Sequence, residues 1–568
     1  MSHDLVIRGG TVLDGTGGEP VDADVAVDGG VITAIGRVPG RGAEEIDAKG
    51  CFVTPGFVDI HTHYDGQATW DANLAPSSWH GATTVVMGNC GVGFAPCRAS
   101  DRSVLVRLME GVEDIPGSAL SEGLPWTWET FPEFLDAVDS RPHDVDIGAM
   151  IPHGALRVRV MGERGVRREP ASAADIAEMA DLVAGALRAG AIGLSTSRTV
   201  LHRTADGEPT PMLGAAHEEI VGMSEALGRE RRGVFQMVSD FRDLEGEFSM
   251  LVAVARRSGR PVSFSLAQND YMPEQWSGLL ARTEAAAASG LRISAQVLSR
   301  PIGLLMGLET TLNPLHGRPS YDALRSLPLG ERLGELRNPL LRERILSEDP
   351  LEQHPFFALL GRRWGRYFPM ADPPTYEPNP EASVLSVANR TNREPLEVLY
   401  DAILEDEGRG LLYVPFLNFT GDNLDVVRQM MVHPNAVFGL ADGGAHVGTI
   451  CDGSATTTTL THWGRDRPQG RLPLPWLVRF LTRRPAEAVG LFDRGLIRGG
   501  MKADLAVFDL DRLGAARPEI RHDLPAGGRR FLQRAHGYRA IVKSGLATYR
   551  DGEPTGALPG RLVRATGD

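Results

Sequence analysis

Lysine is almost absent from this chain. Of 59 basic residues only Lys49, Lys502 and Lys543 are lysines, so the long middle of the sequence holds no amine nucleophile and no lysine that could be carboxylated to bridge metal ions. Cysteine is scarce too: Cys51, Cys90, Cys97 and Cys451 form no CxxC pair and no dense framework, which fits a reducing compartment. The start, "MSHDLVIRGG", lacks a basic stretch followed by a long apolar one, and no run of about 18 apolar residues occurs. A soluble cytoplasmic protein without membrane contact is expected. The net charge of −14 comes without any dense basic run, so nucleic acid is not an expected partner.

What is present is ordinary globular material, 42% hydrophobic and 23% charged, over 568 residues. That length predicts one large domain and a smaller one. Short strand-like runs broken by glycine fill residues 1–55, and the same texture returns in "ADLAVFDLD" and "YRAIVKSGLATYRDGEP". Residues 1–55 and 485–568 are therefore expected to build one small β-sandwich, with 56–484 inserted between them. That insert alternates apolar runs ("GFVDIH", "TTVVMGN", "DIGAMIPHG", "AIGLST", "GVFQMVS", "PVSFSLA", "RISAQVL", "LYVPFLNF", "AVFGLADGG") with helix-like stretches such as "ASAADIAEMADLVAGALRAG". Strand and helix alternating this often predict an α/β protein with a parallel sheet, closed as a (β/α)8 TIM-like barrel. Residues 303–385, rich in Arg, Pro and Glu, read as a helical excursion or lid.

Three places on that barrel carry metal chemistry. In "GFVDIHTHYDG", His61 and His63 follow an apolar run; residues i and i+2 of a strand share a face about 6.5–7 Å apart, so two imidazoles can meet one ion. The plain alternative is a solvated loop pair. Cys90 ends the run "TTVVMGNCGVG", where its glycine-flanked turn suggests the barrel mouth rather than a buried structural thiol. Asp442 in "AVFGLADGGAH" closes the last strand candidate; alone it would read as a turn residue, but strands one and eight become neighbours when a barrel closes.

These segments carry a family resemblance. "VTPGFVDIHTH", "LADGG" and "RRPAEAVGLFDRGLIRGGMKADLAVFD" resemble the amidohydrolase superfamily, and "TTVVMGNCGVGFAP" with "GAIGLST" resembles its D-aminoacylase branch, across nearly the whole chain. The resemblance implies divalent metal at the mouth, with His61, His63 and Asp442 as ligands, Cys90 as the bridging cysteine, Asp442 also as general base, and a homodimer. It also implies histidines on strands five and six, where this chain reads "VFQMVSD" and "VSFSLAQND": Gln236 and Leu266 stand in their places, and Gln268 where a lysine often follows. One divalent ion, zinc by donor type, is then the most this set holds.

His153 in "MIPHGALR", His446, Gln236 and Arg300 are the candidate substrate-binding residues, with Asp65, Ser195 and Asn418 as further mouth candidates; His80 is expected away from the mouth. The expected activity is hydrolysis of a non-peptide C–N bond in a small molecule, an N-acyl amino acid or related amide, by metal-activated water with Asp442 as base. Two rivals stay open: a barrel that only binds or assembles, and a metal-free enzyme using Asp442 and His153 as acid and base.

Overall fold

In the computed structural model, which describes residues 2–351 and 363–565, eight apolar runs pair into one all-parallel sheet. In chain order its strands are β1 (Phe57–Asp59), β2 (Ala82–Met87), β3 (Asp146–Pro152), β4 (Gly193–Arg198), β5 (Val234–Ser239), β6 (Val262–Ser265), β7 (Ile293–Val297) and β8 (Ala436–Phe438). Each pairs with its sequence neighbours, as right-handed βαβ crossovers produce. β2 and β3 are buried at every position, which is why they read as continuous apolar runs rather than as alternating ones. Just past the two end strands, Asp442 N donates to His61 O (3.1 Å) and His63 N to Gly443 O (2.8 Å), drawing the sheet into a nearly closed barrel.

Local sequence sets the helices between strands. Helix α1 (Arg102–Glu113) follows β2, and α2 (Ala173–Ala189) follows β3. α2 starts at a reciprocal capping box, Ser172 with Asp175, and stops at Gly190, whose φ of 108° ends the helix.

The two chain ends form a single nine-stranded sheet in which Phe52–Pro55 pairs antiparallel with Leu505–Phe508. That sheet surrounds a shared apolar cluster of Ile7, Val25, Val53, Leu505 and Val542, and residues 514–536 add two separate two-stranded sheets. It grips the base of the barrel through charge. Asp146, at the start of β3 and fully buried, meets Arg494 (2.8 Å), Lys502 (2.5 Å) and Lys543 (2.9 Å), and Lys543 also meets Asp504 (2.7 Å). Two of the three lysines are spent here.

One expected barrel strand lies elsewhere. Leu412–Leu417 pairs antiparallel with Ile302–Met306 and Phe368–Pro369 in a separate three-stranded sheet. The barrel already has eight strands without it, and an antiparallel partner marks it as the return stroke of the excursion that leaves after β7. The excursion expected over 303–385 therefore runs on to Leu417, around its own cluster of Met306, Tyr321, Leu336, Tyr400 and Leu412. Its residues 352–362 lie outside the described ones. Among the described residues all four cysteines are unpaired, and no helix is long and apolar enough to cross a membrane.

Candidate functional site

The mouth of a parallel barrel is formed by the loops after its strands, and three such loops converge here. His61 and His63 lie just beyond β1, with ring centroids 5.5 Å apart. The turn after β2 presents Cys90. Its backbone sits at φ 54°, a strained setting for a residue with a side chain. The neighbouring Gly88 allows it: at φ 79° a Cβ there would lie 2.1 Å from Met150 O. Asn89 Nδ2 pins the turn to Val86 O (2.8 Å) and Thr62 O (3.3 Å). After β8, Asp442 sits at φ 47°, followed by Gly443, where a Cβ would strike Ser77 Oγ at 2.3 Å.

Ligand atoms meet at one point. His61 Nε2 is 3.2 Å from Cys90 Sγ and 3.5 Å from Asp442 Oδ1; His63 Nε2 is 3.8 Å from the same Oδ1. Donor atoms of His61, His63 and Cys90 all lie within 4.8 Å of one another. Ligands held tetrahedrally about a zinc-sized ion stand about 3.3–3.6 Å apart, so the set fits such an ion with little movement. One unsatisfied atom agrees: Asp442 Oδ1 is buried without a hydrogen-bond partner. His61 is already oriented. Gln296 Nε2 donates to Ser263 Oγ (3.0 Å), which turns its Oε1 to accept from His61 Nδ1 (2.7 Å) and leaves the Nε2 lone pair facing Cys90 and Asp442.

Electrostatics point the same way. Burial lowers His61 to about 4 and His63 well below its ordinary value, and it raises the Cys90 thiol and the Asp442 carboxyl well above theirs. Neighbouring Asp452 and Asp59 push Asp442 further in the same direction. A protein-only site thus holds neutral imidazoles and protonated acids. A divalent cation reverses the second, since it favours thiolate and carboxylate.

The other candidates divide. His446 stands at the mouth, its side chain a quarter exposed, on the Asp442 loop. Gln236 is buried on β5, with Nε2 3.4 Å from Ser265 Oγ and Oε1 unpartnered; Leu266 is buried in the core cluster and offers no donor. Asp65 accepts from Gly88 N (3.1 Å), and burial lifts its pKa to about 7. Ser195 Oγ braces the cysteine turn, donating to Gly88 O and accepting from Gly91 N. Asn418 accepts from Gln268 N (2.8 Å) and is used up in loop packing.

Two expected substrate residues are committed elsewhere. Arg300 is not free for a substrate: its guanidinium lies 3.7 Å from the Tyr376 ring centre and donates to Asp452, Ser454 and Cys451 O, because a buried cation needs a fixed counter-charge. His153 is buried with Nδ1 2.8 Å from Thr196 Oγ1 and Nε2 2.8 Å from Glu219, whose oxygens also take Arg157, so it braces β4 instead of facing the mouth. His80 bonds Thr457 (2.8 Å) and Gln533 O (2.9 Å).

Three residues at the site escaped sequence reasoning. Gln296 carried a signal, a polar side chain inside the apolar run "RISAQVL". Glu113, 3.1 Å from His63 Nδ1, ends an unremarkable amphipathic helix, and His202, held by Ser197 Oγ at 2.9 Å, sits in a loop.

Comparison with known proteins agrees with this geometry. The profile described as "Amidohydrolase family" matches residues 44–348 and 387–555. The D-aminoacylase of Alcaligenes xylosoxydans xylosoxydans is 27% identical over 99% of this chain and 98% of its own length, and the N-acyl-D-aspartate deacylase of the same organism is 27% identical over 100% and 95%. A solved D-aminoacylase, described as having a binuclear metal centre with one-metal activation and second-metal attenuation, superposes with a TM-score of 0.66 at 25% identity, covering 99% of this chain and 100% of that one. The chain belongs to the amidohydrolase family, as a hydrolase of its D-aminoacylase-like branch.

Proposed function

We propose that this protein hydrolyses the amide bond of N-acyl-D-amino acids with a single divalent ion, zinc by its mixed thiol, imidazole and carboxylate donors, held by His61, His63, Cys90 and Asp442. The observation that carries the reading is the meeting of those four side chains at the mouth, with Gln236 and Leu266 where a further ion would need histidines. The names of the D-aminoacylase relatives support the substrate class, and one-metal activation in the solved relative supports a single working ion.

When bound, the ion supplies acidified water and a polarised carbonyl. The protein does the rest. Asp442, on a loop pinned by backbone hydrogen bonds to His61 and His63, accepts the attacking water's proton and returns it to the leaving nitrogen. Its neighbour His446, at the open side, is placed to meet the substrate. Gln296 keeps His61 in the ligating tautomer throughout.

The test is elemental analysis of purified protein with a screen of N-acyl-D- and N-acyl-L-amino acids. We expect close to one equivalent of metal, chelator-sensitive turnover of D-substrates, and a loss of about 10²–10⁴-fold in kcat for Asp442→Asn. Metal below about 0.1 equivalent with turnover indifferent to chelator and added zinc sinks the reading. Full activity in Asp442→Asn removes the base assignment alone.

A further inference from the structure

We infer that Glu113, at the end of α1, is the carboxylate that positions His63 for metal and ties the histidine pair to the Asp442 loop. The inference rests on the metal reading above but concerns a residue outside the proposed ligand set. Glu113 is only 1% exposed, and neither of its carboxylate oxygens has a hydrogen-bond donor. A buried carboxylate in that condition costs the fold free energy. Oε1 lies 3.1 Å from His63 Nδ1, itself a buried atom without a partner. Oε2 lies 3.8 Å from His446 Nε2, and the main-chain Glu113 O accepts from Val447 N (3.3 Å). One residue therefore touches the imidazole of the histidine pair, the imidazole at the mouth and the backbone of the loop that carries Asp442.

Metal loading explains the missing partner. A neutral imidazole carries one proton on either nitrogen. Coordination through His63 Nε2 places that proton on Nδ1, 3.1 Å from Glu113 Oε1, where a turn of the ring into line gives the carboxylate a donor. Gln296 does the same work for His61 with a neutral amide, so the two ligands are backed by different chemistries, one neutral and one anionic. Glu113 faces the Nδ1 side of His63, away from the Nε2 that lies near Asp442 Oδ1, so it stands behind the ligand and not beside the ion. Its role is to hold His63 still and to strengthen it as a ligand.

The experiment titrates zinc into metal-depleted full-length protein against a competing chelator, for the native sequence, Glu113→Gln and Glu113→Leu, and records the thermal midpoint of each without metal. We expect one equivalent bound in all three. The dissociation constant should be about 10- to 100-fold weaker in Glu113→Leu and intermediate in Glu113→Gln, which keeps a neutral acceptor. Without metal, neither variant should melt below the native protein, because each removes an unpartnered carboxylate; a merely structural residue would lower that midpoint. Affinity within about twofold of native in both variants overturns the inference and leaves the metal reading standing. So does a second equivalent of zinc that disappears in Glu113→Gln, since Glu113 would then be a ligand. Native protein that binds no zinc overturns both.

Discussion

Replacing Gln296 by Leu should weaken metal binding without touching a proposed ligand. Its amide orientation is fixed from behind: Nε2 donates to Ser263 Oγ at 3.0 Å, so Oε1 must face His61 Nδ1 at 2.7 Å, and all three side chains are buried. Leucine removes the acceptor. His61 then has two choices. It keeps its proton on Nδ1, unpaired in a dry site, at about 1–3 kcal/mol; or it moves the proton to Nε2 and loses the lone pair that faces Cys90 and Asp442. Either route costs metal affinity about 10- to 100-fold, equivalent to about 1.4–2.8 kcal/mol. Competition with a chelator of known zinc affinity reads the change, and Gln296→Glu, which keeps an acceptor, should stay close to native. The metal-free protein should melt only about 1–3 °C lower, because unfolding a chain of this size carries a large entropy. Equal zinc affinity in native protein and Gln296→Leu would refute the claim that this hydrogen bond selects the ligating tautomer.

Asp146→Asn removes the anion shared by Arg494, Lys502 and Lys543 and should destabilise the protein by about 3–5 kcal/mol. Turnover at 25 °C should stay unchanged, because the cluster lies at the opposite end of the barrel from the metal candidates; an unaltered denaturant midpoint would show that the clasp contributes nothing. His80 tests acid stability. Burial lowers it to about 4 from 6.5, so the folded state holds it neutral, and its contribution is complete above pH 6.5 and lost as pH falls toward 4. The full loss is worth about 3 kcal/mol. His80→Gln should therefore flatten the fall in thermal midpoint across that window, and parallel pH curves for the two proteins would contradict the assignment.

The parts of the site legible in the sequence are those at strand ends. An apolar run that stops at a histidine pair, a cysteine or an aspartate announces both the strand and the group it presents, which is why His61, His63, Cys90 and Asp442 could be named before their distances were known. The run at Leu412 carries the same apolar signal, yet nothing in it says which sheet it joins; that depends on its antiparallel partner Ile302–Met306. Arg300 and His153 misled for a related reason. Their partners Asp452 and Glu219 lie 152 and 66 residues away, and only folding shows that the charges are already matched. Glu113 is the harder case, since a glutamate at the end of an amphipathic helix is ordinarily solvated. Its burial follows from the later loop that covers it.

The backbone hydrogen bonds from Asp442 to His61 and from His63 to Gly443 place the ligands on the seam of the barrel, where the earliest strand meets the last. About 380 residues of chain separate the two sides, so a growing polypeptide carries its histidine pair and Cys90 without Asp442 until the last barrel strand has been made. On the metal reading proposed above, an ion shared by His61, His63, Cys90 and Asp442 would act as a rivet across that seam. A chain cut short before β8 has no Asp442 and no ring to close.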